Sequence, residues 1–437
     1  MKSEKFAAAH KNCQLSIVNY QLFRTFAAEM AKYNVTTLAN GLRVIHLPSV
    51  SPVVYCGIGI NAGARHEAAG EEGLAHFCEH TTFKGTRRRS ALQILNSLES
   101  VGGDLNAFTN KEDTVFYAAI QREHFSRAVD LLCDIVFCSE YPQHEIEREI
   151  DVICDEIESY NDSPAELIYD EFENLIFRGH PLGHNILGTR QQVQQFTSLD
   201  ACRFTQRYYR PDNAIFFVYG DIDFDRMVKM LEKRVSGEWN LLHSNLKPQT
   251  SNLKPQTSNL KPHPSHHQAH VMLGVQTFSY DDPRRMPLFL LNNLLGGPGM
   301  NARLNLSLRE RNGLVYTVES SQVSYSDTGC WSVYFGCDHH DVKRCLRLVH
   351  RELDRLVQHP LSERQLQAAK RQLKGQLAIA CDNREQFALD FAKHFLHYGH
   401  ERSISELLLR IDAITSTQIL DVAQQLFAPD KLQLLML

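Results

Sequence analysis

Residues 145–160 read EIEREIDVICDEIESY, with Ile146, Ile150, Ile153 and Ile157 at the three- and four-residue spacing that puts apolar side chains on one stripe of an α-helix. The acids between them do not share one direction. Glu149 and Glu156, seven residues apart, are nearly eclipsed and lie about 60 to 80° from the stripe, at its buried edge, whereas Asp151, Asp155 and Glu158 point away from it. Similar periodicity predicts helices at 74–83, 91–101 and 122–138, and long ones after Asp341, Ser362 and Arg384. Shorter β-prone runs predict strands at 53–60, 104–109, 114–120 and 214–219, and again near 270–275, 315–323 and 330–336. In TTLANGLRVIHL, Asn40-Gly41 between two such runs predicts a hairpin with a type I′ turn. Strands and helices come in runs instead of alternating strictly, which indicates α+β domains.

A different pattern interrupts this one. SNLKPQT occupies 244–250, repeats at 251–257 and returns as SNLKPHP at 258–264. One Leu per heptad is too little for a coiled-coil seam, and a Pro in every heptad prevents helix and central strand alike, so 237–267 reads as an extended linker. It divides the chain into an N-terminal domain, 32–236, and a C-terminal domain, 268–437, with 1–31 expected to be a disordered or dispensable extension.

Composition narrows the class. The chain has 437 residues, 43% apolar and 22% charged, which suits two globular cores. A net charge of −5 gives no basic surface for nucleic acid. Eleven cysteines with no C-x-x-C pair indicate neither a disulfide framework nor a cysteine zinc site. No apolar run is long enough to span a bilayer, and the N-terminal apolar stretch breaks at His10, so neither a membrane nor export is indicated. One Arg and two Glu in that segment also disfavour a mitochondrial presequence, which makes the cytoplasm the expected compartment and the mitochondrial matrix the alternative.

The densest chemistry lies in Gly73-Leu-Ala-His76-Phe-Cys-Glu79-His80. On a helix, His76, Glu79 and His80 fall within an arc of about 100°, so two imidazoles and a carboxylate share a face, as a zinc site requires, while Cys78 turns toward the core. A third ligand must come from elsewhere, and the 145–160 helix offers acids. The Glu inside the motif can act as general base on a zinc-bound water. The same ligand types also permit a non-haem iron triad, in which Glu79 has no evident use. His266, His267 and His270 follow the linker and read as its solvated end, with weak metal binding as the alternative.

These residues resemble the pitrilysin/insulinase family of zinc metallopeptidases, whose H-x-x-E-H motif reverses the thermolysin order. The resemblance covers the chain from Tyr33 onward, and the chain looks like a short, homodimer-type member similar to mitochondrial processing peptidase subunits. It implies two related α+β domains, each a mixed or antiparallel sheet with helices on one side, forming half of a clamshell. It implies one Zn2+ per chain, held by His76, His80 and Glu156, with Glu79 as base and Glu149 in support. It further implies that Asn106 and Ala107, in Gly102-Gly-Asp-Leu-Asn-Ala-Phe-Thr, grip substrate along a sheet edge. Arg309 and Tyr316 would donate hydrogen bonds to the substrate carbonyl. The glycines at 296–299 read as a helix-terminating turn. The implied activity is cleavage of peptides or unfolded polypeptides in a closed chamber of four domains, two from each chain of a homodimer, or of a heterodimer with a related chain. The alternative from another class is a non-catalytic peptide-binding or structural subunit.

Overall fold

The computed structural model describes residues 32–235, 268–401 and 403–437. The extension at 1–31 and the repeat linker at 237–267 lie outside the described residues, as do His266 and His267. Strands β1 (Asn34–Thr37), β2 (Arg43–Pro48) and β3 (Val53–Ile60) lead to helices α1 (Leu74–Thr82) and α2 (Ala91–Glu99). Then come β4 (Asp104–Thr109), β5 (Thr114–Gln121), α3 (Phe125–Phe137), α4 (Gln143–Asn161), α5 (Pro164–Ile176), α6 (Ser198–Tyr208), β6 (Ala214–Gly220) and α7 (Phe224–Val235). The second half runs β7 (Ala269–Thr277), α8 (Arg285–Gly296), a π-helical turn (Asn305–Glu310), β8 (Val315–Ser324) and β9 (Gly329–Cys337). It closes with α9 (Val342–Gln358), α10 (Glu363–Cys381), α11 (Arg384–Tyr398), α12 (Ile404–Ala413), α13 (Ser416–Leu426) and β10 (Gln433–Met436).

Two open sheets result, as the α+β reading expects. The first has the order β1-β2-β6-β3-β5-β4, antiparallel except for the parallel pair β2 and β6. The second has the order β10-β7-β9-β8 and is antiparallel throughout. The hairpin between β1 and β2 differs from the expected type I′ turn. Leu38 N–H donates to the Leu42 carbonyl, leaving a three-residue loop in which only Gly41, at φ 91°, is left-handed. A two-residue type I′ turn needs positive φ at both central residues, and Asn40 does not have it.

Strand alternation sends side chains into separate cores. On β6, Phe216 and Val218 face the helices of their own half, while Ile215 and Phe217 face the opposite way with Ile45 and Leu47 of β2. That opposite face is covered by a helix from the other half: α11 packs Ala388, Phe391, Ala392, Phe395 and Leu396 onto it. Arg43 of β2 donates to the Phe395 and Leu396 carbonyls, at 3.2 and 3.1 Å, satisfying acceptors that the end of α11 leaves open. The exchange is mutual. Ile168, Phe172 and Ile176 of α5 pack with Met272, Cys330 and Tyr334 of the second sheet, whose other face meets its own helices through Val271, Leu273, Trp331 and Val333. Each sheet thus keeps its own helices on one side and takes one helix of the other half on the reverse.

The predicted strands and the helices α1 to α4 and α9 to α11 are present to within a few residues. Unpredicted were α5 to α8, α12, α13 and the closing strand β10. Among the described residues, no helix is long and apolar enough to cross a membrane.

Candidate metal centre

Helix α1 is preceded by Gly73 at its N-cap position, whose φ of 96° suits glycine and whose missing Cβ would stand 2.7 Å from the Leu187 carbonyl oxygen. Gly73 supplies no side-chain cap. The carboxylate of Glu67 does this instead, accepting from the N–H groups of Gly73 (3.0 Å) and Ala75 (2.7 Å), where a helix start favours negative charge. His184 Nε2 lies 2.9 Å from the same carboxylate, and burial pushes the Glu67 carboxyl up despite these partners.

One turn further on, His76 is fully buried, Glu79 is buried and His80 is partly open. The two imidazole rings are 4.6 Å apart, centre to centre. Helix α4 brings Glu156 to them, its Oε2 3.3 Å from His80 Nε2 and 3.9 Å from His76 Nε2. One ligand atom from each of the three residues lies within 4.8 Å of the others. Ligands about 2.0 to 2.1 Å from a tetrahedral zinc sit about 3.3 Å from one another, so two imidazole nitrogens and one carboxylate at these spacings fit that ion.

Glu149, one helical repeat before Glu156, meets His80 from the other side, with 3.0 Å between Oε1 and Nδ1. Its second oxygen pairs with Lys84. Burial works to raise the Glu149 carboxyl, but the His80 and Lys84 contacts hold it below the usual carboxylate range. The two carboxylates act together on His80. Burial opposes its charge, yet hydrogen bonds to Glu149 and Glu156 push it up to about 10 in the absence of metal. His76 goes the other way, lowered to about 3 by burial and by the charge of His80. Burial also raises Glu79 to about 7, opposed by His80 and by Thr109, whose hydroxyl donates to Oε2 at 2.7 Å. Cys78 is buried with its thiol toward the Ala201 carbonyl, away from the cluster.

Thr109 ends β4, the edge strand that carries Asn106 and Ala107 opposite Tyr117 and Phe116 of β5. The other side of β4 pairs with no strand among the described residues. Arg309 and Tyr316 form a separate group. Arg309 sits on the π-helical turn with its guanidinium 5.9 Å from the Tyr316 ring centre, and Tyr316 is 82% exposed, in a bulge of edge strand β8. They line a groove with Gly296, Gly297, Asn305 and Glu319, and no residue of the histidine cluster belongs to it. Gly296 ends α8 and Gly297 caps it, as expected of a helix-terminating turn. His270 contacts the Tyr334 hydroxyl at 2.9 Å.

Glu67, His184, Thr109 and Lys84 were not foreseen. Glu67 lies six residues before the N-cap Gly73, outside the N-cap and N3 positions that a sequence pattern tests.

The family described as "Insulinase (Peptidase family M16)" matches residues 43–190, and "Peptidase M16 inactive domain" matches 195–373. An uncharacterized zinc protease of Bacillus subtilis is 32% identical over 401 residues, covering 90% of this chain and 95% of its own. Another from Streptomyces coelicolor is 31% identical over 396 residues, covering 89% and 86%. Among solved structures, a protease from Helicobacter pylori superposes with a TM-score of 0.82 at 21% identity, covering 93% of this chain and 99% of that one. A peptidase M16 inactive domain from Pseudomonas fluorescens gives 0.78 at 19%, covering 93% and 97%.

Proposed function

The chain belongs to the insulinase, or M16, family of peptidases, and from that membership we propose that it is a zinc-dependent endopeptidase acting on peptides or unfolded polypeptides. The observation that carries this reading is the convergence of His76, His80 and Glu156 with Glu79 on the same buried helix. When bound, zinc supplies a Lewis acid that lowers the pKa of water and polarises the scissile carbonyl.

The chain's own residues do the rest. Glu79, oriented by Thr109, takes the proton from the attacking water and passes it to the leaving amine; burial strengthens its hold on that proton between the two transfers. Glu149 fixes the ring of His80 through Nδ1, which leaves Nε2 for the metal. An extended peptide pairs with the free side of β4 at Asn106 and Ala107, recognised through its main chain and therefore with little demand on sequence.

Arg309 and Tyr316 would donate to the substrate carbonyl as negative charge develops there. Their exposure, in a groove that includes none of the histidine cluster, supports a homodimer in which the pair acts on the partner's site. Among the described residues, seven buried cysteines keep free thiols, which a reducing compartment such as the cytoplasm would preserve. A peptide-binding subunit without catalysis would make no use of a carboxylate buried and oriented beside the two histidines.

Two experiments test the reading. Digestion of a peptide library, read by mass spectrometry, should show cleavage that requires zinc and disappears in Glu79→Gln; cleavage unchanged in that variant overturns the enzyme assignment. Mixing His76→Ala and Tyr316→Phe chains under conditions of subunit exchange should restore activity above that of either alone, and no gain despite proven exchange overturns action in trans.

A further inference from the structure

A cavity of about 430 Å³ opens in the C-terminal half, lined by Arg303, Arg311, Glu352, Arg355, His359 and Gln365. Three elements build it: the helical segment that runs into the π-helical turn, the end of α9 and the start of α10. Three guanidiniums share it with a single carboxylate, and that carboxylate is already engaged. Glu352 is buried and accepts from Arg355 at 2.8 Å.

Arg303 and Arg311 are in a different position. Among the described residues, neither guanidinium makes a hydrogen bond or an ion pair within 4.0 Å. Arg303 is only partly open to solvent, and burial lowers its pKa even with Glu352 nearby. A partly desolvated cation without a hydrogen-bonded counter-charge is costly, and proteins relieve that cost with a paired anion. The setting favours an anion in a second way. Helix α10 opens here with Ser362 as its cap, so the positive end of a 19-residue helix borders the same space.

We infer that this cavity binds a multiply charged oxyanion of the phosphate class: free pyrophosphate or the phosphate tail of a nucleotide. A carboxylate occupies one guanidinium fork, whereas the half-buried fork of Arg303, the exposed fork of Arg311 at the rim and the His359 ring beside them offer donors for more acceptor oxygens and more charge. The volume lies within the range of small-molecule sites and is too small for a folded partner. Arg303 and Arg311 flank the turn that bears Arg309, so a bound anion ties that turn to α9 and α10. The site stands on geometry in the C-terminal half and does not depend on the peptidase reading.

Calorimetric titration of the full chain with pyrophosphate, and separately with a nucleoside triphosphate, tests it. Saturable binding is expected, weakened about tenfold or more by Arg311→Gln, the expected loss for a charge-assisted hydrogen-bond pair. Arg303→Gln should act likewise, while Arg178→Gln, an exposed charge elsewhere, should leave affinity unchanged. Tighter binding of the triphosphate identifies a nucleotide tail as the source, and tighter binding of pyrophosphate the free ion. Absence of saturable binding overturns the site, as does binding that Arg303→Gln and Arg311→Gln leave intact or that Arg178→Gln weakens equally.

Discussion

Glu79 and Glu149 are both carboxylates of one buried cluster, yet their surroundings push them in opposite directions. Burial raises Glu79 to about 7, while His80 and Lys84 hold Glu149 below the usual range. Their substitutions should therefore separate. Glu149→Gln should weaken zinc binding by roughly 10- to 100-fold, measured by competition with a chromogenic chelator, because it loosens the orientation of His80. Glu79→Gln should leave zinc affinity nearly unchanged and lower kcat by roughly 10² to 10⁴. The cluster was legible in the sequence where its parts are close: His76, Glu79 and His80 share a helical face by spacing alone. Choosing Glu156 over Glu149 as the third candidate ligand required a resemblance, since the two acids have equivalent positions on α4 relative to the isoleucine stripe. Thr109 and Glu67 were invisible because side-chain partners across strands and loops follow no period.

At the scale of elements, the exchanged helices α5 and α11 deserve the closest test. Phe391 is fully buried between α11 and the first sheet, so Phe391→Ala should destabilise the protein by about 3 to 5 kcal/mol in denaturant titration. The docking of α11 also has an ionic component. Asp113, wholly buried at the β4–β5 turn, contacts Lys393 at 2.9 Å and His397 at 3.2 Å, and these partners outweigh burial and depress its carboxyl pKa. A depressed folded-state pKa gives stability that is present above the unfolded value of about 3.9 and is lost as pH falls through the lower folded value. Asp113→Asn should thus cost about 2 to 3 kcal/mol near neutrality, and the gap to the wild type should shrink with acidification below about pH 4. Lys393 is half open to solvent, which limits the figure. The apolar spacing of Ile168, Phe172 and Ile176 in α5 lies in the sequence, but periodicity shows that a face is buried without showing against what. That each face belongs to the other sheet is a property of topology, which local pattern does not encode.

Over the whole molecule, the exchange makes each half incomplete alone. Co-expressing 1–250 and 251–437 as separate chains should give one species on size-exclusion chromatography with the zinc content of the intact protein. Either fragment expressed singly should be insoluble, and the intact chain should unfold in one transition. Two independent transitions would contradict the exchange. Composition and the repeat at 244–264 suggested two halves and a tether, whereas the burial of α11 against β2 and β6 indicates that contacts, more than the tether, join them.

The exchange also sets a timetable for biosynthesis. The first sheet has all its strands once Gly220 leaves the ribosome, but the helix that covers its second face ends at Tyr398. At roughly 5 to 20 residues per second, the 178 residues from Asp221 to Tyr398 take on the order of 10 to 35 s to make. Throughout that interval Ile45, Leu47, Ile215 and Phe217 form an uncovered apolar face on a nascent chain, a surface that a chaperone would recognise before any substrate does.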